Sequence, residues 1–88
     1  METKIETNKI YIEDNNEILA EITFPNYLDG VIIDHTFVSE KLRGQGIAEK
    51  LMTEVYEEIK RTNRKAYLSC SYAIKYFEKH PEKRDILK

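Results

Sequence analysis

Around Gln45 the apolar residues of this chain stop recurring at every second position and begin to recur every three or four. Upstream, Ile10 and Ile12 share one face of the run Lys9 to Glu13, with Tyr11 on the other, and Ile18, Ala20, Ile22 and Phe24 alternate against Glu17, Glu21 and Thr23. That is the period of strands. Asp14, Asn15 and Asn16 supply turn chemistry between the two runs, which therefore read as a hairpin. Past the turn residues Pro25, Asn26, Asp29 and Gly30, the run Val31 to Val38 has the β-branched content and length of a third strand. Beyond Gln45, Ile47, Leu51, Val55 and Ile59 recur at i+4 with Ala48 and Met52 beside them, the stripe of an amphipathic helix about 16 residues long. Lys60, Arg61, Arg64 and Lys65 gather at its end, where cations suit the helix dipole. Ala66 to Cys70 reads as a short buried strand, and Tyr72 to His80 as a second helix stopped by Pro81. The tail, Glu82 to Lys88, is too short and charged to assign.

The order strand, strand, strand, helix, strand, helix fixes the fold class as α/β of the α+β kind, with a mixed, mostly antiparallel sheet. A strand, helix, strand unit makes its two strands parallel, with a right-handed crossover, while the hairpins before it are antiparallel. Ligands of such units sit beyond the carboxyl ends of the parallel strands, near the following helix start. That location is Leu42 to Ala48, together with Cys70.

Composition closes off other classes. A chain of 88 residues is read as a single domain, residues 1–88, with one modest core. Hydrophobic residues at 41% and charged ones at 34% are too apolar for disorder and too polar for a membrane span. No membrane partner is expected. With 14 basic against 16 acidic residues there is no one-sided positive field, so nucleic acid is not expected as a partner either. Cys70 is the only cysteine, which removes a disulfide framework and a cysteine-based zinc site, and no metal is expected. The opening METKIETNK lacks the apolar stretch of a secretory signal, and a reducing, cytoplasmic location fits.

Gly44 and Gly46 stand directly ahead of the long helix. The first turn of a helix carries unpaired N–H groups and a partial positive charge, on which a phosphate or diphosphate settles. Glycines there remove side chains that would block the approach and permit unusual backbone angles. Arg43 adds charge-assisted hydrogen bonds. The plain alternative is a pair of glycines that only turns a strand into a helix. The spacing is not that of a P-loop, because no Gly-Lys-Ser/Thr follows, and the third glycine of the dinucleotide fingerprint is missing.

Val38-Ser-Glu-Lys-Leu-Arg43-Gly-Gln-Gly46-Ile-Ala48 resembles the acyl-coenzyme A motif of the Gcn5-related N-acetyltransferases, Arg/Gln-x-x-Gly-x-Gly/Ala between a strand and a helix. The resemblance covers about residues 10 to 80. It is to the core of that fold, without the two early helices and the last two strands, as in small single-domain members with a cysteine near the end of the later strand and a His-Pro-Glu after the last helix. Cys70 and His80-Pro81-Glu82 match those features. The resemblance implies an N-acetyltransferase that uses acetyl-CoA as cosubstrate and a primary amine as acceptor, on a small molecule or a protein lysine. It implies cofactor contacts from Val38, Arg43, Gly44, Gln45, Gly46, Ile47 and Ala48: backbone N–H groups of Arg43 to Ala48 on the diphosphate, and main-chain groups around Val38 on the pantetheine arm. A non-catalytic acyl-CoA-binding or sensing module is the alternative, because the walls of the usual acceptor site are missing.

The chain departs from the family where a tyrosine often protonates the leaving thiolate. Ala73 fits the pattern, but Cys70 stands where an asparagine is usual and Phe77 where the tyrosine would be, with Tyr76 one place earlier. Either Tyr76 reaches the cofactor, or Cys70 takes an active role as S–H donor or nucleophile; Cys70 as an inert buried residue is the third reading. His35 is expected on the face of Val31, Ile33 and Phe37, half-buried, where the family often places a general base. Asp34 and Thr36 fall on the opposite face and are weaker candidates.

Overall fold

The computed structural model describes residues 2–88. Seven strands and two α-helices follow in the order β1 (Glu2–Glu6), β2 (Lys9–Asp14), β3 (Glu17–Thr23), β4 (Asn26–Tyr27), β5 (Gly30–Ile33), β6 (His35–Val38), α1 (Ile47–Arg61), β7 (Ala66–Leu68) and α2 (Ser71–Lys79). Short 3-10 turns occupy Glu40–Leu42 and Pro81–Ile86. The expected mixed α+β fold is present, with two strands, β1 and β4, added to it. The charged sequence of β1 hides its strand: Ile5 is exposed, and what holds β1 is its antiparallel ladder to β2.

The β2–β3 hairpin turns on Asn15 and Asn16, at φ 50° and 63°. Consecutive left-handed residues make a two-residue turn whose twist matches the strands it joins, and asparagine tolerates that region better than other non-glycine residues. A bulge between Ile12 and Glu13 then shifts the register, so Ile12 faces Ala20 while Glu13 faces Ile18. The extra residue, Leu19, goes into the core and Ile18 is left half-buried, which breaks the simple alternation expected of this strand.

The third expected strand is two. Gly30–Ile33 pairs in parallel with β7, and His35–Val38 pairs antiparallel with β3. The break is at Asp34, whose N–H donates to Thr23 O at 3.3 Å, while Ile33 O accepts from both Ser69 and Cys70 N–H. One stretch of chain thus serves as the last strand of the sheet β1-β2-β3-β6 and the middle strand of the sheet β4-β5-β7.

Helix α1 lies across β2, β3 and β6. Its buried stripe of Leu51, Met52, Val55, Tyr56 and Ile59 meets Ile10, Ile12, Ala20 and Ile22 in one core, which Phe24, Phe77 and Ile86 extend. The tail is ordered by that core. Ile86 is buried, Leu87 bridges in parallel to Ala66, and Asp85 accepts from Tyr56 and pairs with Lys60, each at 3.0 Å. No helix among the described residues is long and apolar enough to cross a membrane.

Gly30 packs against the backbone that leads into β7. Val31 N–H donates to Lys65 O at 2.9 Å, and a Cβ on Gly30 would collide with that same backbone carbonyl. Gly30→Ala is therefore expected to force β5 and β7 apart and cost about 1–3 kcal/mol, the usual range for overpacking. An unchanged urea midpoint would contradict so close an approach.

Candidate active site

The chain leaves β6 through Ser39, whose side chain caps the 3-10 turn by accepting from Lys41 N–H at 3.2 Å. Leu42 is buried and pins that turn to the core. Arg43 N–H donates to Glu40 O at 3.3 Å, after which Gly44 and Gly46 adopt φ of 81° and 70°. Gly46 caps α1 and its carbonyl accepts from Lys50 N–H at 3.1 Å, the first bond of the helix. Between these two bonds, the N–H groups of residues 44 through 49 find no acceptor among the described residues. They are the orphan donors of a helix start, multiplied by the two left-handed glycines ahead of it.

A cleft of about 260 Å³ opens over these groups. Of the expected cofactor-binding residues, Val38, Arg43, Gly44, Gly46, Ile47 and Ala48 line it, joined by Leu42, Glu49 and Tyr72. Gln45 lies outside the lining, and the backbone N–H of Arg43 is consumed by the turn, so that residue offers its guanidinium instead. No carboxylate pairs with Arg43 among the described residues, and Glu49 N–H takes the place of Arg43 N–H as a free donor.

The cleft continues along a free strand edge. Ser39 N–H donates to Leu19 O, which fixes the alternation of the β3–β6 ladder: His35 and Phe37 turn their backbone groups toward β3, and Thr36 and Val38 turn theirs away. Their outward N–H and C=O groups meet no strand, because β7 ends at Leu68. Cys70 is the N-cap residue of α2, partly buried, with Sγ 3.4 Å from Thr36 Oγ1. The two side chains touch across the gap between the diverging strands.

One expected placement, that of His35, is corrected, and Tyr76 lines a smaller cavity beside the glycine cleft rather than the cleft itself. The break at Asp34 reverses the alternation, so His35 and Phe37 do not continue the face of Val31 and Ile33. Thr36 and Val38 turn toward the core and Cys70, whereas His35 is exposed on the other face, with Nε2 3.7 Å from Glu21 Oε2. Thr36, read as the weaker candidate, is the residue brought to Cys70. Tyr76, for its part, does not reach the glycine cleft. Its ring is buried beside Phe77 and His80, and its hydroxyl is 2.6 Å from Thr53 Oγ1. Thr53 gives its own proton to Glu49 O at 3.0 Å, so Tyr76 must donate to Thr53, and that proton is engaged.

Tyr72, to which the sequence analysis gave no role beyond opening the second helix, is the residue it missed. It walls the glycine cleft, and its hydroxyl has no hydrogen-bond partner among the described residues. Burial, then the charge of Glu49 and the nearby Tyr76, hold it above the ordinary tyrosine range, so at neutral pH it is a protonated donor. Its place just after the strand-end cysteine, in the first turn of α2, was the available signal. No group of three or more His, Cys, Asp or Glu suited to a metal occurs among the described residues.

A Cβ on Gly44 or Gly46 would meet nothing within 4 Å, so only the left-handed backbone opposes a side chain there. Gly46→Ala is expected to lose about 1–2 kcal/mol in chemical denaturation. Gly46→Asn should lose less, since asparagine visits that region; an equal loss would point to a steric cause instead.

The family profile for the GCN5-related N-acetyl-transferases matches residues 9–86. Among solved structures, a GCN5-like protein from Staphylococcus aureus, determined by NMR, is 40% identical with a TM-score of 0.78 over 99% of this chain and 87% of that one. A predicted acetyltransferase from Clostridium acetobutylicum, crystallised with acetyl-CoA, is 23% identical with a TM-score of 0.57 over 82% of this chain and 55% of that one, a likeness of fold. No curated protein matches the chain. A family match across nearly the whole chain, and a relative alike in sequence and fold from end to end, establish that this protein belongs to the GCN5-related N-acetyl-transferase family.

Proposed function

We propose that the protein binds acetyl-CoA in the glycine cleft and transfers the acetyl group to a primary amine. The observation that carries this reading is the row of unpaired N–H groups from Gly44 to Glu49 at the start of a 15-residue helix. The residues fit the cosubstrate: free donors and the positive helix end suit a diphosphate, the guanidinium of Arg43 adds charge, and the open edge of β6 offers alternating N–H and C=O groups to the two amides of a pantetheine arm.

Bound acetyl-CoA supplies a thioester carbonyl that an uncharged amine attacks, expelling a thiolate. Val38 N–H, unpaired on the strand edge, donates to the carbonyl oxygen as charge builds there. Cys70 and Tyr72 are the proton donors on the helix side of the sheet, Cys70 positioned through Thr36. His35, on the other face beside Glu21, accepts the proton of an incoming ammonium. Acceptor and cosubstrate thus approach from opposite faces, and a lysine on a protein surface suits an approach to an exposed strand as well as a small amine does.

Titration with CoA is expected to move the amide resonances of residues 44–49 ahead of all others; no shift there refutes the site. Release of CoA from acetyl-CoA with a panel of amines then separates transferase from binding module, since binding without turnover identifies the latter. Cys70→Ala should lower turnover about 100-fold or more while leaving CoA affinity unchanged. Undiminished turnover removes Cys70 from the chemistry, and acetyl found on Cys70 by mass measurement identifies it as a nucleophile.

A further inference from the structure

A second, smaller cavity of about 120 Å³ adjoins the glycine cleft, lined by Glu49, Tyr72, Lys75, Tyr76, Lys79 and His80. Glu49 and Tyr72 belong to both, so the two form one groove running from the start of α1 along α2. We propose that Lys75 and Lys79 hold the 3′-phosphate of coenzyme A in this groove, which makes the protein selective for CoA over its 3′-dephospho form. The inference rests on the CoA reading above and adds to it the recognition of a particular phosphate.

Charge placement carries the argument. Among the described residues, six lysine and arginine side chains have carboxylate partners: Lys4 with Glu13, Lys41 with Glu17, Lys50 with Glu54, Lys60 with Asp85, Arg61 with Glu58 and Lys88 with Asp29. Of those without one among the described residues, Arg43 lines the first cavity and Lys75 and Lys79 the second. Lys75 and Lys79 are four apart on α2 and so share a face, where two ammonium groups can close on one phosphate. Glu49 is the opposing charge, and the two lysines outnumber it.

The other walls leave this task to the lysines. The Tyr76 proton is held by Thr53, and His80 Nδ1 faces Glu82 at 3.4 Å. A ligand whose diphosphate lies on the α1 start fits this groove when it carries a second anion a short distance from the diphosphate, as a phosphate monoester provides. CoA carries one on its ribose, and 3′-dephospho-CoA lacks it.

Calorimetric titration of the wild-type protein and of the Lys75→Gln/Lys79→Gln double variant, each with CoA and with 3′-dephospho-CoA, tests this. Both lysines are exposed, and the circular dichroism spectrum checks that the variant folds. The wild type is expected to bind CoA about tenfold or more tightly than the dephospho form, the size of a charge-assisted contact. The variant should bind both ligands alike, at the wild type's affinity for the dephospho form. Equal binding of both ligands by the wild type, or an undiminished preference in the variant, overturns the phosphate site and leaves the CoA reading standing. Failure of the wild type to bind either ligand overturns both.

Discussion

The carbonyl of Ile33 accepts two hydrogen bonds, from Ser69 and from Cys70, and the architecture of the site follows from that junction. A parallel ladder needs evenly spaced bonds from successive residues. When two consecutive donors converge on one acceptor, β7 has no further register to offer, and β5 and β7 stop pairing. Asp34 then turns its N–H to Thr23, which hands the chain to the antiparallel sheet as β6. A strand that changes partners halfway leaves a free edge in the middle of the molecule. Thr36 and Val38 line that edge, and Cys70 stands opposite.

The glycine loop depends on the same core that supports this gap. Leu42 is buried, so the 3-10 turn ahead of the glycines is anchored, while Leu51, Met52, Val55 and Ile59 fix α1 from the other side. Between these anchors only the segment of Arg43 to Gly46 is irregular, and two left-handed glycines let it turn its N–H groups outward without a side chain in front of them. Such a loop loses internal hydrogen bonds that a tighter connection would make. Exposure to water compensates in the free protein, and an anion can replace that water.

The candidate site residues divide between the two faces of β6. Thr36, Cys70 and Tyr72 lie on the side of the helices, near the glycine cleft, and His35 with Glu21 lies on the other. This division follows from a single irregular residue. Had the alternation of Val31 and Ile33 run on unbroken, His35 would face the core and Thr36 the solvent.

The sequence by itself determined the strand-to-helix-to-strand order of the core, the amphipathic stripe of α1, the asparagine turn between β2 and β3 and the glycine pair ahead of α1, because each is written in local periodicity or backbone preference. It also singled out Cys70 and most of the residues that line the cleft. Only the tertiary structure decided which way the side chains of β6 point, since the break at Asp34 answers to hydrogen bonds from Thr23 and β7 that lie far away in the chain. It likewise decided that Tyr76 is engaged by Thr53 while the Tyr72 hydroxyl has no partner among the described residues: two tyrosines on one helix look alike in sequence, and what separates them is where along α1 each comes to rest, Tyr76 at Thr53 and Tyr72 at Glu49 in its first turn.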